Sequence, residues 1–179
     1  MTAHPAERSG DPFASLTGQG LFRPAQERSV RMRGVTESDL PELHRLDREV
    51  FQEVAYPYFM LRQLFDMYAD HLLVLDDGEA LQGYVLAGTV MGTGLGWVLG
   101  LGVARERRGE GLGRRLMLEI LRRLRHDGVR EVRLTVEPTN AAAIALYKSS
   151  GFSPAAPEGG LRRNYFGPGE HRLVLELSL

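Results

Sequence analysis

The 179-residue chain contains no cysteine. Disulfides, thiolate metal sites and a cysteine nucleophile are therefore excluded, and the redox compartment stays open. No charge of one sign dominates: 22 basic and 23 acidic residues leave a formal net charge of −1. A polyanion partner is not implied at the level of the whole chain. The five histidines (His4, His44, His71, His126, His171) are scattered without ligand spacing, so no metal site is expected. Long apolar runs are scarce as well. Residues 83–103, "GYVLAGTVMGTGLGWVLGLGV", are uncharged and long enough to mimic a membrane span. Seven of them are glycine, and a Gly-Thr-Gly break divides them, which fits two buried strands and a turn better. No apolar stretch follows a basic start at the N-terminus, so no signal peptide is read and a cytoplasmic protein without membrane contact is expected.

What remains is ordinary for a globular domain, with 43% hydrophobic and 25% charged residues. Residues 1–29 are rich in proline, glycine, serine and charge, and read as a mobile N-terminal tail whose apolar residues Phe13, Leu16, Leu21 and Phe22 are available for docking. Residues 30–179 read as one α/β domain. "VRMR" (30–33) alternates as a strand, and Thr36 with Asp39 forms a capping box before the helical stripe Leu40, Leu43, Leu46, Val50, Phe51. Pro57 opens a second helix. Residues 71–88 read as a hairpin turning at Asp77-Gly78, followed by a strand over 95–103. The stripe Leu112, Leu116, Ile120, Leu124 predicts a third helix stopped by Gly128. A strand over 131–136, an alanine-rich helix capped by Asn140, and two closing strands complete the order β-α-α-β-β-β-α-β-α-β-β. A strand precedes each of the last two helices, so part of the sheet should be parallel there.

The stretch "RRGEGLGRRL" (107–116) poses the functional question. A strand that runs through glycines into a helix presents unpaired backbone N–H groups at the positive end of the helix dipole. Glycine lets that backbone approach a phosphate closely, and Arg107, Arg108, Arg114 and Arg115 add positive charge. Either this is a phosphate or pyrophosphate site, or it is a tight turn among solvated arginines. The P-loop and dinucleotide patterns are both absent.

The pattern present is R-x-x-G-x-G, in Arg108, Gly111 and Gly113, and it resembles the pyrophosphate loop of the GNAT family of N-acetyltransferases. A second motif of that family, N-x-x-A-x-x-x-Y-x-x-x-G-F, is met by Asn140, Ala143, Tyr147, Gly151 and Phe152. The two motifs occur in order and on matching elements. By element order the resemblance covers residues 30–179. It implies the GNAT fold: a mixed central sheet of about seven strands, splayed between the fourth and fifth, with about four flanking helices. It also implies acetyl-coenzyme A as co-substrate. The N–H groups of Arg108, Gly109, Glu110, Gly111, Leu112, Gly113 and Arg114 would hold the pyrophosphate. Backbone at Leu101, Gly102 and Val103 would line the pantetheine arm and the acetyl carbonyl, Gly100 and Gly102 leaving that side unobstructed. Asn140 would combine a helix cap with a cofactor contact.

The implied chemistry is direct acetyl transfer to a neutral primary amine. A backbone N–H near Leu101 or Val103 would stabilise the oxyanion, and Tyr147 matches the tyrosine that protonates the leaving thiolate. In the protein N-terminal (RimI-like) branch a Glu or His often stands five residues before the Asn. Here that position is Thr135, which is no base near neutral pH. Glu137, on Thr135's face by strand alternation, and Glu53, between the first two helices, remain as bases acting through water.

"FQEVAYPYF" and "NYFGPGEH" resemble the two substrate loops of that branch, with Val54, Tyr56 and Tyr165 at contact positions. These aromatics equally suit a purely packing role. Three functions stay open: acetylation of a protein or peptide N-terminus, acetylation of a small amine, or acetyl-CoA sensing without catalysis. Asp47, Glu49 and Glu53 would suit a small cationic substrate. Arg122, Arg123, Arg125, Arg130 and Arg133 read as a solvated face, and no nucleic-acid motif accompanies them. A monomer or a homodimer is expected.

Overall fold

The computed structural model describes residues 29–156 and 158–179, so the expected tail lies outside it apart from Ser29. Strand β1 (Arg31–Gly34) pairs antiparallel with β2 (Leu72–Asp76). Between them Thr36 breaks the extended backbone. Its N–H and its hydroxyl each donate to the Asp39 carboxylate at 2.7 Å, which starts a single helical turn and then α1 (Leu40–Phe51). Arg33 grips the same carboxylate at 2.6 Å and reaches Asp76 at 2.8 Å. One guanidinium thus ties β1, the start of α1 and the end of β2. Helix α1 ends at Gln52, whose φ of +52° turns the chain away, and α2 (Tyr58–Tyr68) starts behind Pro57.

Strand β3 (Leu81–Val90) returns along β2. The connection is four residues long, 77–80, and not a two-residue Asp-Gly turn. The Asp77 carboxylate accepts the N–H groups of Glu79 and Ala80 at 3.0 and 2.9 Å, which satisfies the wider loop. The uncharged run 83–103 forms most of β3, a turn at 91–94 and β4 (Leu95–Val103). No helix among the described residues is long and apolar enough to cross a membrane. Helix α3 (Leu112–His126) buries its whole predicted stripe, together with Met117 and Leu121. Then come β5 (Glu131–Val136), α4 (Ala141–Ser149), β6 (Ser153–Pro154), β7 (Leu161–Arg162) and β8 (Arg172–Ser178).

The sheet has eight strands in the order β1-β2-β3-β4-β5-β8-β6, with β7 also on β8. The eighth is β7, a two-residue strand too short to show an alternation in sequence. Residues Leu72 to Leu75 of β2 are buried on both faces, because helices cover both. Helices α3 and α4 pack on one face, over Leu73, Leu75, Val85, Val132 and Leu134. Helices α1 and α2 cover the other, over Leu72, Val74, Tyr84 and Leu86.

The Arg33 guanidinium holds the Asp39 carboxyl well below the usual carboxylate range, against the opposing effect of desolvation, with Thr36 donors assisting. A depressed native pKa contributes stability that is present above the unfolded value and lost as the pH falls through the native value. Asp39→Asn is expected to destabilise the fold by about 1–2 kcal/mol at pH 7. In denaturant titrations the deficit should persist down to about pH 4 and shrink below it. A deficit constant down to pH 2 would contradict this.

Candidate functional site

Strands β4 and β5 run parallel, but they pair only from Leu95–Glu131 to Val98–Leu134. Beyond that point β4 continues to Val103 along β3, while Thr135 and Val136 pair with Val174 and Leu173 of β8. A fork therefore opens between the two central strands. A bulge marks its base: Val98 opposes Ala87 and Gly100 opposes Leu86, so Leu99 has no partner on β3.

The antiparallel alternation decides which backbone groups face the fork. The Ala104 N–H donates to the Gln82 carbonyl at 2.9 Å. In the same register Gly102 and Gly100 turn their polar groups to β3, whereas Leu101 and Val103 turn theirs away from it, toward the fork. The predicted trio thus divides. Leu101 turns its N–H and C=O to the fork, Val103 turns its N–H there while its carbonyl accepts from Arg108, and Gly102 turns neither. The glycines also have a different reason from the one expected. A Cβ on Gly100 would lie 3.0 Å from the Tyr84 hydroxyl, and one on Gly102 would lie 3.1 Å from the Tyr84 ring and 3.2 Å from Val50. They make room for Tyr84 and α1.

The glycine loop follows directly. Gly109 (φ +87°) and Gly111 (φ +78°) adopt the left-handed region, and nothing lies within 4 Å of where their side chains would be. Gly111 caps α3, and the first helical hydrogen bond inside is the Arg115 N–H to the Gly111 carbonyl. The N–H groups of Leu112, Gly113 and Arg114 thus have no intrahelical acceptor. Gly113 lets this first turn approach Leu146, Leu101 and Val103, which holds the helix N-terminus beside the fork. The four arginines do not act alike. Arg107 is engaged by Glu110 at 2.9 Å, and Arg115 donates to the Val30 carbonyl at 2.8 Å. Arg108 stays beside the loop, on the Val103 carbonyl at 3.3 Å, and Arg114 leans toward Ser149 at 3.4 Å. Glu110 has its side chain committed to Arg107, so its contribution to an anion site would be its N–H.

Across the fork, Asn140 caps α4 by accepting the Ala143 N–H at 3.0 Å. Tyr147 is buried and packs edge-on against Phe152. Its hydroxyl has no hydrogen-bond partner among the described residues and is not sealed from solvent. Burial pushes this phenol up to about 12, so it remains protonated throughout the neutral range. Glu137 lies just beyond the end of β5, in the turn before α4, exposed and without an ion pair among the described residues.

Two loops flank the open end. The α1–α2 loop reaches the base of the fork, where the Tyr56 hydroxyl donates to the Leu99 carbonyl at 3.0 Å. The β7–β8 loop arrives beside the C-terminal end of β5, because Leu173 pairs with Val136. It carries Tyr165, edge-on to Phe166, and is closed by Asn164, which accepts the Gly169 N–H at 2.9 Å. Val54 is 67% exposed and Tyr165 43%. The acidic trio considered from sequence disperses. Asp47 is fully buried, Glu49 is exposed on α1 and pairs with Arg45, and Glu53 is exposed on the loop. Asp47 accepts hydrogen bonds from the hydroxyl of Tyr84 and from the N–H of Tyr56, the latter at 2.6 Å. Its structural place was legible: Leu40, Leu43, Asp47 and Val50 share helical spacing, and a carboxylate on an apolar stripe signals a buried partner.

Residues 39–152 match the profile of the Acetyltransferase (GNAT) family. The mycothiol acetyltransferase of Thermobispora bispora is 48% identical over 59 residues, 33% of this chain and 20% of that one. The [ribosomal protein bS18]-alanine N-acetyltransferase of Escherichia coli K12 is 46% identical over 57 residues, 32% of this chain and 36% of that one. Both alignments therefore span well under half of the relatives' lengths. Among solved structures, the E. coli ribosomal-protein-S18-alanine N-acetyltransferase superposes with a TM-score of 0.71 at 23% identity, covering 84% of this chain and 94% of that one. Since the family profile spans well over half of the chain, and the forked mixed sheet agrees with it, the chain belongs to the GNAT acetyltransferase family.

Proposed function

We propose that this chain is an acetyl-CoA-dependent N-acetyltransferase in which a primary amine, that of a protein or peptide N-terminus, attacks the acetyl group directly. The observation that carries the reading is the fork itself. It combines outward-facing backbone at Leu101 and Val103, N–H groups at the start of α3 with no intrahelical acceptor, and a Tyr147 hydroxyl with no hydrogen-bond partner among the described residues. These groups fit a ligand with a pyrophosphate at one end and an amide-rich arm leading from it. The N–H groups of Leu112, Gly113 and Arg114, with the loop from Arg108 to Gly111, would take the pyrophosphate. The arm would extend β4 as an added strand along Leu101 and Val103. Asn140 would contribute its amide nitrogen from the far side.

Acetyl-CoA supplies an activated thioester; the chain supplies position and protons. A Leu101 or Val103 N–H facing the fork would receive the negative charge that develops on the carbonyl oxygen. Tyr147 would deliver a proton to the departing thiolate. Glu137 would take the amine's proton through water, being the carboxylate nearest in sequence to the end of β5 with no competing ion pair. Val54, Tyr56 and Tyr165 would receive the acceptor between the two loops. The similarity to mycothiol acetyltransferases favours a second reading, a small-molecule amine. The exposed Val54 and Tyr165 support the first, because two apolar loop tips suit a peptide chain crossing the site.

Acetyl-CoA turnover against short peptides of varied first residue, and against spermidine and aminoglycosides, tests the proposal. Turnover that depends on the peptide's first residue supports it. Turnover on small amines alone supports the second reading, and acetyl-CoA binding without turnover defeats both. Tyr147→Phe is expected to lower kcat by about 10²–10⁴-fold with little change in acetyl-CoA affinity. With burial pushing the Tyr147 phenol up to about 12, the wild-type kcat should show no loss from this group up to pH 10. Glu137→Gln is expected to lower kcat by about 10²-fold at neutral pH with little change in the acetyl-CoA KM. An unchanged kcat would remove Glu137 from the proton path.

A further inference from the structure

The reaction scheme leaves unused Asp47, the one charged side chain among the described residues that is fully buried. A carboxylate in that position is costly unless its oxygens are satisfied, and both are. One accepts the Tyr84 hydroxyl from β3, and the other accepts the Tyr56 N–H from the α1–α2 loop at 2.6 Å. The bonds do not end there. The Tyr84 ring lies beneath Gly100 and Gly102 of β4. The Tyr56 hydroxyl returns to β4 at Leu99, 3.0 Å away, on the unpaired residue of the bulge. A closed circuit therefore runs from Asp47 through Tyr56 to Leu99, along β4 to Gly100, and back through Tyr84.

We propose that Asp47 is a positioning residue for the amine acceptor: it fixes Tyr56, and with it the α1–α2 loop, against the Leu99 carbonyl at the base of the β4–β5 fork. The inference rests on the acetyltransferase reading of that fork. Its physical content is registration. The loop that would receive the acceptor and the strand that would hold the acetyl group are set relative to each other by one carboxylate. A small displacement between an amine and its target carbon is enough to slow the reaction severely. Asp47 touches neither reactant. Its burial, with desolvation raising its pKa against the two donated hydrogen bonds, is consistent with a group kept for geometry.

The role depends on hydrogen-bond geometry more than on charge, which gives it a distinctive test. In Asp47→Asn the side-chain oxygen still accepts the Tyr56 N–H, and the amide nitrogen donates to the Tyr84 oxygen, which can accept. In Asp47→Leu both links are lost. In Tyr56→Phe only the link to Leu99 is lost. Steady-state kinetics would use acetyl-CoA with an alanine-initiated peptide and, separately, spermidine. Asp47→Leu is expected to raise the acceptor KM by about tenfold or more, and Tyr56→Phe by about fivefold. The KM for acetyl-CoA should stay within about twofold in both, and Asp47→Asn should stay near wild type. The double variant Asp47→Leu/Tyr56→Phe should be no worse than Asp47→Leu alone, since both act on one circuit.

A parallel rise in the acetyl-CoA KM, an unmoved acceptor KM, or additive losses would overturn the proposal. Hydrogen exchange of the Tyr56 amide, which needs no acceptor, separates this from failure of the acetyl-transfer reading. If neither amine is acetylated by the wild type, that reading fails as stated. The amide then still decides whether Asp47 holds the loop. Protection in wild type and Asp47→Asn with exchange about 10²-fold faster in Asp47→Leu supports the hold, and equal exchange in all three sinks it.

Discussion

Past Val98 and Leu134 the two central strands stop pairing, and the chemical potential of this fold depends on that parting. A parallel sheet that closed normally would consume the polar groups of Leu101 and Val103 in a ladder. Here β5 leaves toward β8, β4 stays with β3, and those groups face an opening. The same parting puts the N-terminus of α3 beside the opening, because Gly113 admits Leu146, Leu101 and Val103 to close range. Backbone donors from a strand and from a helix start then converge without any charged side chain being required at the centre.

Tyr84 accounts for the glycines on the other side of β4. Its ring fills the space that side chains at Gly100 and Gly102 would occupy, and its hydroxyl is held by Asp47. Burial, with Asp47 alongside, keeps this phenol protonated well beyond its usual range. The underside of the strand is therefore braced by a polar network, whereas the upper side beneath α3 and α4 is packed by aliphatic side chains around Tyr147. One tyrosine braces the strand through Asp47, and the other has no hydrogen-bond partner for its hydroxyl among the described residues.

Much of this was legible in the chain. The stripe through Leu112, Leu116, Ile120 and Leu124, the cap at Thr36 and the Asn140 cap all appear where periodicity and capping chemistry put them. The glycine loop was legible because Gly109 and Gly111 need positive φ, a demand written in residue type alone. That Tyr84 packs against Gly100 and Gly102 was not legible, because a glycine announces a close approach without saying what approaches. The charge on the loop was likewise overcounted. Arg107 and Arg115 look alike in sequence, yet one turns to Glu110 and the other to the Val30 carbonyl.

Local regularities determined the elements, their order and the glycine turn that starts α3, since hydrogen bonds within four residues and side-chain alternation are short-range properties of the chain. Tertiary structure alone decided where β4 and β5 separate, that Leu99 bulges, and that Asp47 meets a tyrosine 37 residues away. Those outcomes depend on which distant groups compete for the same backbone edge or the same buried carboxylate. That competition is settled only when the sheet and both helical layers are assembled together.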